Sequence, residues 1–296
     1  MGESSVDSLY EQVRGALPPG SGGASGSEPP VLRLIAPGIR VLALRTPTLP
    51  PAAHTNVYLV GPDTGPWAAV DPGSPYPDQE AVLDAAIEAA GVSLGLVLLT
   101  HHHGDHTGGA RALADRWGVP IAAHANTIRR LPKLRIERTL EAGDQVGVLT
   151  CVYTPGHADG HLCFEQPGFT IAGDMVAGLG TILIDPSEGD MSVYLASLEL
   201  LLTRPQSMLL PAHGPSISDG HAKLREYIAH RLMREAKVAA ALGPSDASLN
   251  ELVATAYADT PRMLWPLAER VLLAHLGKLQ RDGRAREVSP GRWSTP

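Results

Sequence analysis

Thr100-His101-His102-His103-Gly104-Asp105-His106-Thr107-Gly108-Gly109 constrains this chain more than any other stretch. Four histidines and a carboxylate fall between positions 101 and 106, directly after the apolar run Leu94–Leu99. A short apolar run punctuated by Gly95 and Gly104 reads as a buried strand. The cluster then sits at a strand end, where α/β folds place their sites. On extended backbone side chains repeat every two residues, so His101 and His103 can share a side that His102 does not. Asp105 and His106 lie beyond the turn at Gly104 and can reach a second point. Neutral imidazole with carboxylate is the donor set of a borderline cation such as zinc. A solvated His-rich loop that binds metal incidentally is the alternative, and further ligands downstream would decide between them.

The surrounding pattern supplies a frame. Val31–Ile35, Ile39–Leu44, Thr55–Val60 and Trp67–Val70 read as strands of an antiparallel meander that ends in Asp71-Pro72-Gly73. Gln79–Ala90 carries Val82, Leu83, Ala86 and Ile87 at helical spacing. A strand Leu96–Leu99, a helix Gly109–Trp117 and a strand Ile121–Ala123 ending at His124 follow. Val146–Tyr153 alternates and leads into Thr154-Pro155-Gly156-His157-Ala158-Asp159-Gly160-His161. Strands Leu162–Phe164 and Phe169–Ala172 run to Gly173-Asp174, a helix spans Val193–Leu202, and a strand Ser207–Leu210 runs to Pro211-Ala212-His213-Gly214. Strand-rich blocks with interspersed helices predict an α/β fold of two sheets between helix layers.

After Asp219 the texture changes. The pattern predicts a helix over His221–Leu242, a second capped by Ser248 through Tyr257, a third from Thr260-Pro261 to Gln280, and a hairpin over Ala285–Trp293. Three helices and a ribbon make a winged-helix-like appendage. The reading is therefore three parts: 1–30, a short helix over 3–17 with a Gly/Ser/Pro-rich linker; 31–219, the catalytic sandwich; and 220–296, the tail. Residues 1–219 hold 12 basic and 23 acidic side chains, whereas 220–296 hold 12 and 8, so a positive tail joins an acidic body. Such a tail can mark an anionic partner surface, although solvated helix faces explain Lys223, Arg225, Arg231, Arg234 and Lys237 better, because they spread over more than one face.

No apolar run approaches the roughly 20 residues of a membrane-spanning helix. Met1–Tyr10 is acidic and polar, without the basic and apolar regions of a secretory leader, so the expected location is cytoplasmic. Cys151 and Cys163, the only cysteines, flank a turn on neighbouring strands and are expected as reduced, buried thiols rather than a pair.

The ligands can now be counted. His101, His103 and His157 make one three-histidine set; Asp105, His106 and His213 make another; Asp174, also at a strand end, can bridge them. Three protein ligands with an open position is the catalytic arrangement of zinc. Two ions about 3.5–4 Å apart can share a hydroxide, lower its pKa and stabilise a leaving atom. A Thr-Pro-Gly-His turn or one His after a strand means little alone; four such strand ends together mean much.

THHHGDH, TPGHADGH, Gly173-Asp174 and PAHG at 211–214, with NVYLV and DPG earlier, resemble the metallo-β-lactamase superfamily signature over roughly residues 31–219. The resemblance implies an αββα sandwich, mixed sheets between helix layers, with a di-metal site held by the seven residues just assigned. It makes Asp71 a carboxylate that orients a ligand. Asp105 and the full two-site set depart from the true β-lactamases and resemble hydrolases of thioesters, lactones and phosphodiesters. Tyr227–Arg231, Arg234-Glu235, Leu252 to Pro261 and Leu272–Leu279 resemble the β-lactamase-like protein 2 branch. That branch has a winged-helix-like tail and includes an animal single-strand endoribonuclease. Fungal polyketide thioesterases are similar, and glyoxalase II shares the metal motifs with a different tail.

The expectation is a di-zinc hydrolase in which a bridging hydroxide cleaves ester-type bonds, thioester or lactone included, with iron or manganese also suited to a bridging carboxylate. Asp105 would orient the hydroxide, and His161 would help protonate the leaving group. His102 and His124 are not expected to be ligands; Tyr194 is either a pocket wall or a packing residue. Single-stranded RNA is the alternative substrate, weakened by an aromatic content of 4%, because base stacking needs aromatic rings. A non-catalytic metal-binding module contacting a partner or nucleic acid is a third reading, which the complete open ligand set opposes. The long apolar helices of the tail could serve a homodimer or pack on the sandwich.

Overall fold

The computed structural model describes residues 31–205 and 208–296. The helix expected over 3–17, the linker up to residue 30 and the start of the strand expected at Ser207 lie outside the described residues.

Strands β1 (Arg33–Ala36), β2 (Ile39–Arg45), β3 (His54–Val60) and β4 (Trp67–Val70) form the expected antiparallel meander, with β2 and β3 paired from Ile39↔Val60 to Arg45↔His54. Helix α1 (Pro77–Ala89) then crosses over, and β5 (Leu94–Leu98), β6 (Ile121–His124) and β7 (Arg138–Leu140) add in parallel to complete a seven-stranded sheet. Parallel strands need such a crossover because a tight turn cannot reverse the chain twice. Between β5 and β6 lie the single turn α2 (Gly104–Thr107) and helix α3 (Ala110–Trp117).

The second sheet has five strands in the order β12-β11-β10-β9-β8, with β8 Gln145–Val146, β9 Leu149–Tyr153, β10 Leu162–Gln166, β11 Phe169–Gly173 and β12 Met208–Pro211. Here Val146–Tyr153 is not one strand: Gly147, in the left-handed region at φ 60°, turns the chain into a hairpin. Alternation along a sequence does not register so tight a reversal. Helix α4 (Ala125–Arg130) and the short strand β7 had no usable periodicity and were not anticipated.

The layers follow from burial. Tyr58, Val70, Leu98 and Ala122 of the first sheet meet Leu149, Leu162, Phe164, Ile171 and Leu210 of the second in a shared core. Outside the first sheet, Leu83 and Ile87 of α1 and Leu113 of α3 cover Leu59, Val97 and Ile121. Outside the second, helix α5 (Met191–Leu202) and helix α6 (Gly220–Ala241) cover Val152, Cys163, Ala172 and Leu209. This is the αββα sandwich. Central strands are buried on both faces, which is why β4 and β5 read as unbroken apolar runs.

Cys151 and Cys163 are free and buried. Cys163 is opposite Val152 and Cys151 opposite Phe164, so the thiols point to opposite faces of one sheet. Burial pushes both thiols up to about 12, so they are unreactive.

The tail is a winged helix: α6, α7 (Leu249–Ala256), α8 (Trp265–Arg281), and a three-stranded sheet β13-β15-β14 made by Ala247–Ser248, Arg292–Ser294 and Arg286–Ser289. Ser248 and Glu251 form a reciprocal capping box that starts α7. Helix α6 belongs to both bodies. Its Leu224 and Tyr227 enter the sandwich core, while Val238 enters the tail's own core with Leu252, Leu272 and Trp293. The apolar faces of α6 and α8 therefore pack internally. Among the described residues, no helix is long and apolar enough to cross a membrane.

Candidate metal centre

Five strands deliver polar residues to one edge of the sandwich. β4 ends at Asp71, β5 at Thr100 and the histidine cluster, β9 leads to His157, β11 to Asp174 and β12 to His213. Close approach between these loops demands glycine. A Cβ on Gly173, whose φ is 49°, would lie 2.6 Å from Nε2 of His161 and 3.0 Å from the Thr100 side chain. Asp71 itself sits at φ 52°, an unusual conformation for a residue with a Cβ. Three hydrogen bonds hold it there: Thr100 N–H donates to Oδ1 at 2.8 Å, and Thr100 Oγ1 and His106 Nδ1 donate to Oδ2 at 2.7 and 2.8 Å.

Those bonds decide the chemistry of the imidazoles. Thr100 Oγ1 spends its only proton on Asp71, so at 3.0 Å it accepts from His101 Nδ1. His157 Nδ1 donates to the Leu183 carbonyl at 2.8 Å, His213 Nδ1 to the His54 carbonyl at 3.0 Å, and His103 Nε2 to Glu188 Oε1 at 2.7 Å. Each of the five rings therefore carries its proton on the nitrogen facing the protein, as assigned from its acceptor. The nitrogens left bare all face inward.

They converge in two groups. Nε2 of His101, Nδ1 of His103 and Nε2 of His157 lie 2.9, 3.1 and 3.2 Å apart. Three lone pairs so close repel unless a cation separates them, and tetrahedral zinc at about 2.0–2.1 Å from each would set these edges near about 3.3 Å. Asp174 Oδ2 lies 3.6 Å from His157 Nε2. Its Oδ1 faces the other way, 3.5 Å from His106 Nε2 and 3.4 Å from His213 Nε2. Asp105 completes this second group, with Oδ1 3.9 Å from His106 and Oδ2 3.5 Å from His213. Among the described residues, His106 Nε2 and Asp174 Oδ1 are buried without a hydrogen-bond partner. Orphaned donor atoms of this kind are rare in folded proteins, and they fit a metal. His101, His103, His157 and Asp174 could hold one ion, and Asp105, His106 and His213 another.

The field is consistent with this. Burial, reinforced by the neighbouring histidines, holds His101 well below the usual imidazole range, and burial with His103 brings His157 down to about 4. Burial would raise Asp174, but His213 and His106 outweigh it and hold the carboxylate ionised. Burial would lower His106, yet the Asp71, Asp105 and Asp174 carboxylates prevail and lift it to about 10. The charge favoured on His106 is a second proton at its inward Nε2, which a cation bound by the second group would displace, so the three carboxylates there favour a cation.

The sequence compares as the geometry suggests. The family model described as the metallo-beta-lactamase superfamily matches residues 50–213, more than half of the chain. The chain belongs to this superfamily. A second match, to the beta-lactamase associated winged helix domain, spans residues 248–293. Among its relatives, a beta-lactamase-like protein 2 homolog of Drosophila melanogaster is 28% identical over 279 residues, covering 87% of this chain and 92% of that protein. An atrochrysone carboxyl ACP thioesterase of Emericella nidulans is 32% identical over 187 residues, covering 62% of this chain and 59% of that one. Among solved structures, a beta-lactamase domain protein from Burkholderia ambifaria superposes with a TM-score of 0.78 at 23% identity, covering 92% of this chain and 96% of that one, which speaks to the fold.

Other expected positions fall differently. His161 is fully buried behind the histidine cluster, and its Nδ1 bonds Thr154 Oγ1 at 2.9 Å while its Nε2 accepts the Asp174 N–H at 3.1 Å. With both nitrogens engaged, the acid role expected of it does not suit this placement; it holds the Asp174 backbone instead. Tyr194 is a packing residue, fully buried with its hydroxyl on the Met175 carbonyl. His124 caps α4 by accepting from the Asn126 N–H and stacks on Tyr153.

Glu188 was missed. It lies in the loop Asp185–Asp190, where a single Glu between Ser187 and Gly189 carries no ligand spacing of its own. Its Oε2 accepts from His102 at 2.9 Å while Oε1 accepts from His103, so the adjacent histidines grip one carboxylate. The basic helix was also misjudged. Arg231 is not solvated: it lies on the buried stripe of α6 with Leu224, Tyr227, Glu235 and Val238, because steps of three and four residues keep them on one face.

Proposed function

We propose that the chain is a di-zinc hydrolase that cleaves ester-type bonds, thioesters first among them. The observation that carries this reading is the complete, inward-facing donor set at the mouth of a cavity of about 990 Å³ whose walls include Leu49, Leu131, Ile182, Leu183 and Leu267. His101, His103 and His157 would hold one ion, Asp105, His106 and His213 the other, and Asp174 would bridge them. When bound, such ions supply Lewis acidity towards a carbonyl and an acidified water. The protein's own part is to keep five imidazoles in the ligating tautomer, to hold Asp105 ionised beside the point of attack, and to exclude bulk water with an apolar wall. Burial would raise Asp105, but His106 and His213 outweigh it, so its carboxylate stays charged and can orient a water by accepting its proton.

Support for the carbonyl substrate comes from the aliphatic part of the cavity wall, formed by Leu49, Leu131, Ile182, Leu183 and Leu267, and from the relative named for thioester cleavage. A strand of RNA would require exposed aromatic platforms instead. We also propose a cytoplasmic location, with which two free, buried thiols are compatible. We also treat 31–219 as the catalytic unit and 220–296 as the tail that closes its cavity.

Purified protein assayed side by side on a thioester, a lactone and a labelled single-stranded RNA tests the proposal, with metal content measured on the same sample. Thioester turnover with two ions per chain is the expected result. Cleavage of RNA alone, with the steep salt dependence that phosphate contacts impose, would replace this reading with a nuclease. Two bound ions and no turnover of any substrate would favour a metal-retaining binding module.

A further inference from the structure

Beyond the metal centre, the cavity continues between the sandwich and the helical tail. Three arginines line it, and two are neutralised. Arg130 is paired with Asp159 at 2.8 Å, and Arg234 pairs with Asp259 at 2.6 Å. The third, Arg231, is 2% exposed and, among the described residues, has no carboxylate within ion-pair distance. One of its nitrogens, Nη2, donates to Thr181 Oγ1 at 3.3 Å and to the Ile182 carbonyl, and its guanidinium lies 5.4 Å from the Tyr194 ring centre. Among the described residues its Nε is buried with no partner. Glu235, one turn along α6, cannot serve it, because Lys278 and Arg284 hold that carboxylate at 3.0 Å each. Tyr257, from the tail, lines the same cavity with a buried hydroxyl that also lacks a partner among the described residues.

A buried guanidinium without a counter-charge is costly, and a lining cation that the protein leaves uncompensated is where a ligand's anion is bound. We propose that Arg231 and Tyr257 form a carboxylate-binding end to the cavity, so that the enzyme takes acyl substrates whose apolar acyl chain ends in a second carboxylate. This rests on the hydrolase reading, since it places the scissile bond at the histidines and the free carboxylate at the tail. It also gives the winged helix a role in the site: Tyr257 follows α7 directly and Arg231 lies mid-way along α6. The planar fork of arginine suits a carboxylate better than a point charge would, and the tyrosine hydroxyl supplies a neutral donor beside it.

The test compares binding of saturated α,ω-diacids with monoacids of equal chain length, from six to twelve carbons, to the metal-loaded full chain by calorimetry. Either acid can offer one carboxylate to the metal centre, so only the difference reads the second. At the best length the diacid should bind at least about tenfold more tightly, the effect of one charge-assisted hydrogen bond. That preference should collapse in Arg231→Gln and shrink in Tyr257→Phe. A diacid advantage below twofold at every length overturns the inference, as does an advantage that survives both substitutions. Should Arg231→Gln fail to fold, the wild-type comparison and Tyr257→Phe decide. Thioesters of both acids separate the two claims. Equal turnover of both thioesters without a binding preference defeats this inference alone. A preference without turnover of either supports it and defeats the thioesterase reading. Cleavage of a single-stranded RNA with no acid bound defeats both.

Discussion

Replacing Asp71 by Asn is the sharpest test of how the metal centre is built, because it changes one charge and no volume. In the native protein Oδ2 accepts from both Thr100 Oγ1 and His106 Nδ1. An amide can offer only one oxygen, and the Thr100 N–H already occupies Oδ1. The amide nitrogen must then face His106, and two N–H groups cannot share that 2.8 Å contact. His106 escapes by moving its proton to Nε2, the atom that points at Asp174 and Asp105. That places a hydrogen where a metal would bind. Loss of such an outer partner typically weakens metal affinity 10–100-fold, or about 1.4–2.7 kcal/mol. Competition against a graded chelator, with the ions counted by atomic emission, should show one ion per chain released early and the other retained. Long-range nitrogen-15 spectra of metal-free Asp71→Asn should show His106 protonated at Nε2. Affinity within twofold of wild type at both positions, or His106 still protonated at Nδ1, would refute the tautomer argument. Unchanged circular dichroism is required in either case, so that misfolding is not mistaken for a metal effect.

Further predictions follow from the same geometry. Asp174→Ala should lower hydrolysis by more than about 100-fold, beyond what an outer partner costs, and reduce metal retention at both groups; unchanged turnover would remove its bridging role. Glu188→Gln should weaken metal retention about tenfold through His103, while Glu188→Asp restores part of it, and metal content reads both. His275 is fully buried with neither nitrogen partnered among the described residues, and burial, with Arg231 and Lys278, brings it down to about 3. Its folded pKa lies below the unfolded value, so its contribution to stability is complete above about pH 6.5 and is lost as pH falls towards 3, by up to about 1.4 kcal/mol per pH unit. His275→Leu should remove that part of the slope in denaturant titrations at pH 7 and pH 5, and an identical slope in both proteins would contradict it. Burial would raise Asp185, but hydrogen bonds from Arg270 and Ser187 outweigh it and depress it. Asp185→Asn should therefore destabilise at pH 7, with the difference disappearing as pH falls through the depressed carboxyl range; thermal melts across pH check it.

Much of the frame was legible because each strand announces its own end. Apolar runs stop at or next to Asp71, His101, Asp174 and His213, and an extended backbone alternates predictably, so the sequence alone puts His101 and His103 on a side that His102 does not share. The capping box at Ser248 and the punctuation of the tail were equally local signals. What failed was local in another sense. The Gly147 hairpin hides inside an alternating pattern, and β7 is three residues long.

Residue type and strand-end position are properties of the chain itself, and they determined that a histidine–carboxylate cluster would form at one edge of a two-sheet sandwich. Which nitrogen of each ring faces inward is not such a property. It depends on acceptors that arrive from distant segments: the Leu183 carbonyl for His157, the His54 carbonyl for His213, and Glu188 for His103. The same holds for His161, whose two ring nitrogens are taken by Thr154 and by the Asp174 backbone, and for Arg231, which the packing of α6 buries away from any carboxylate among the described residues. Only the tertiary structure decided these, because a polar atom's chemistry is set by its partner, and partners are chosen by packing.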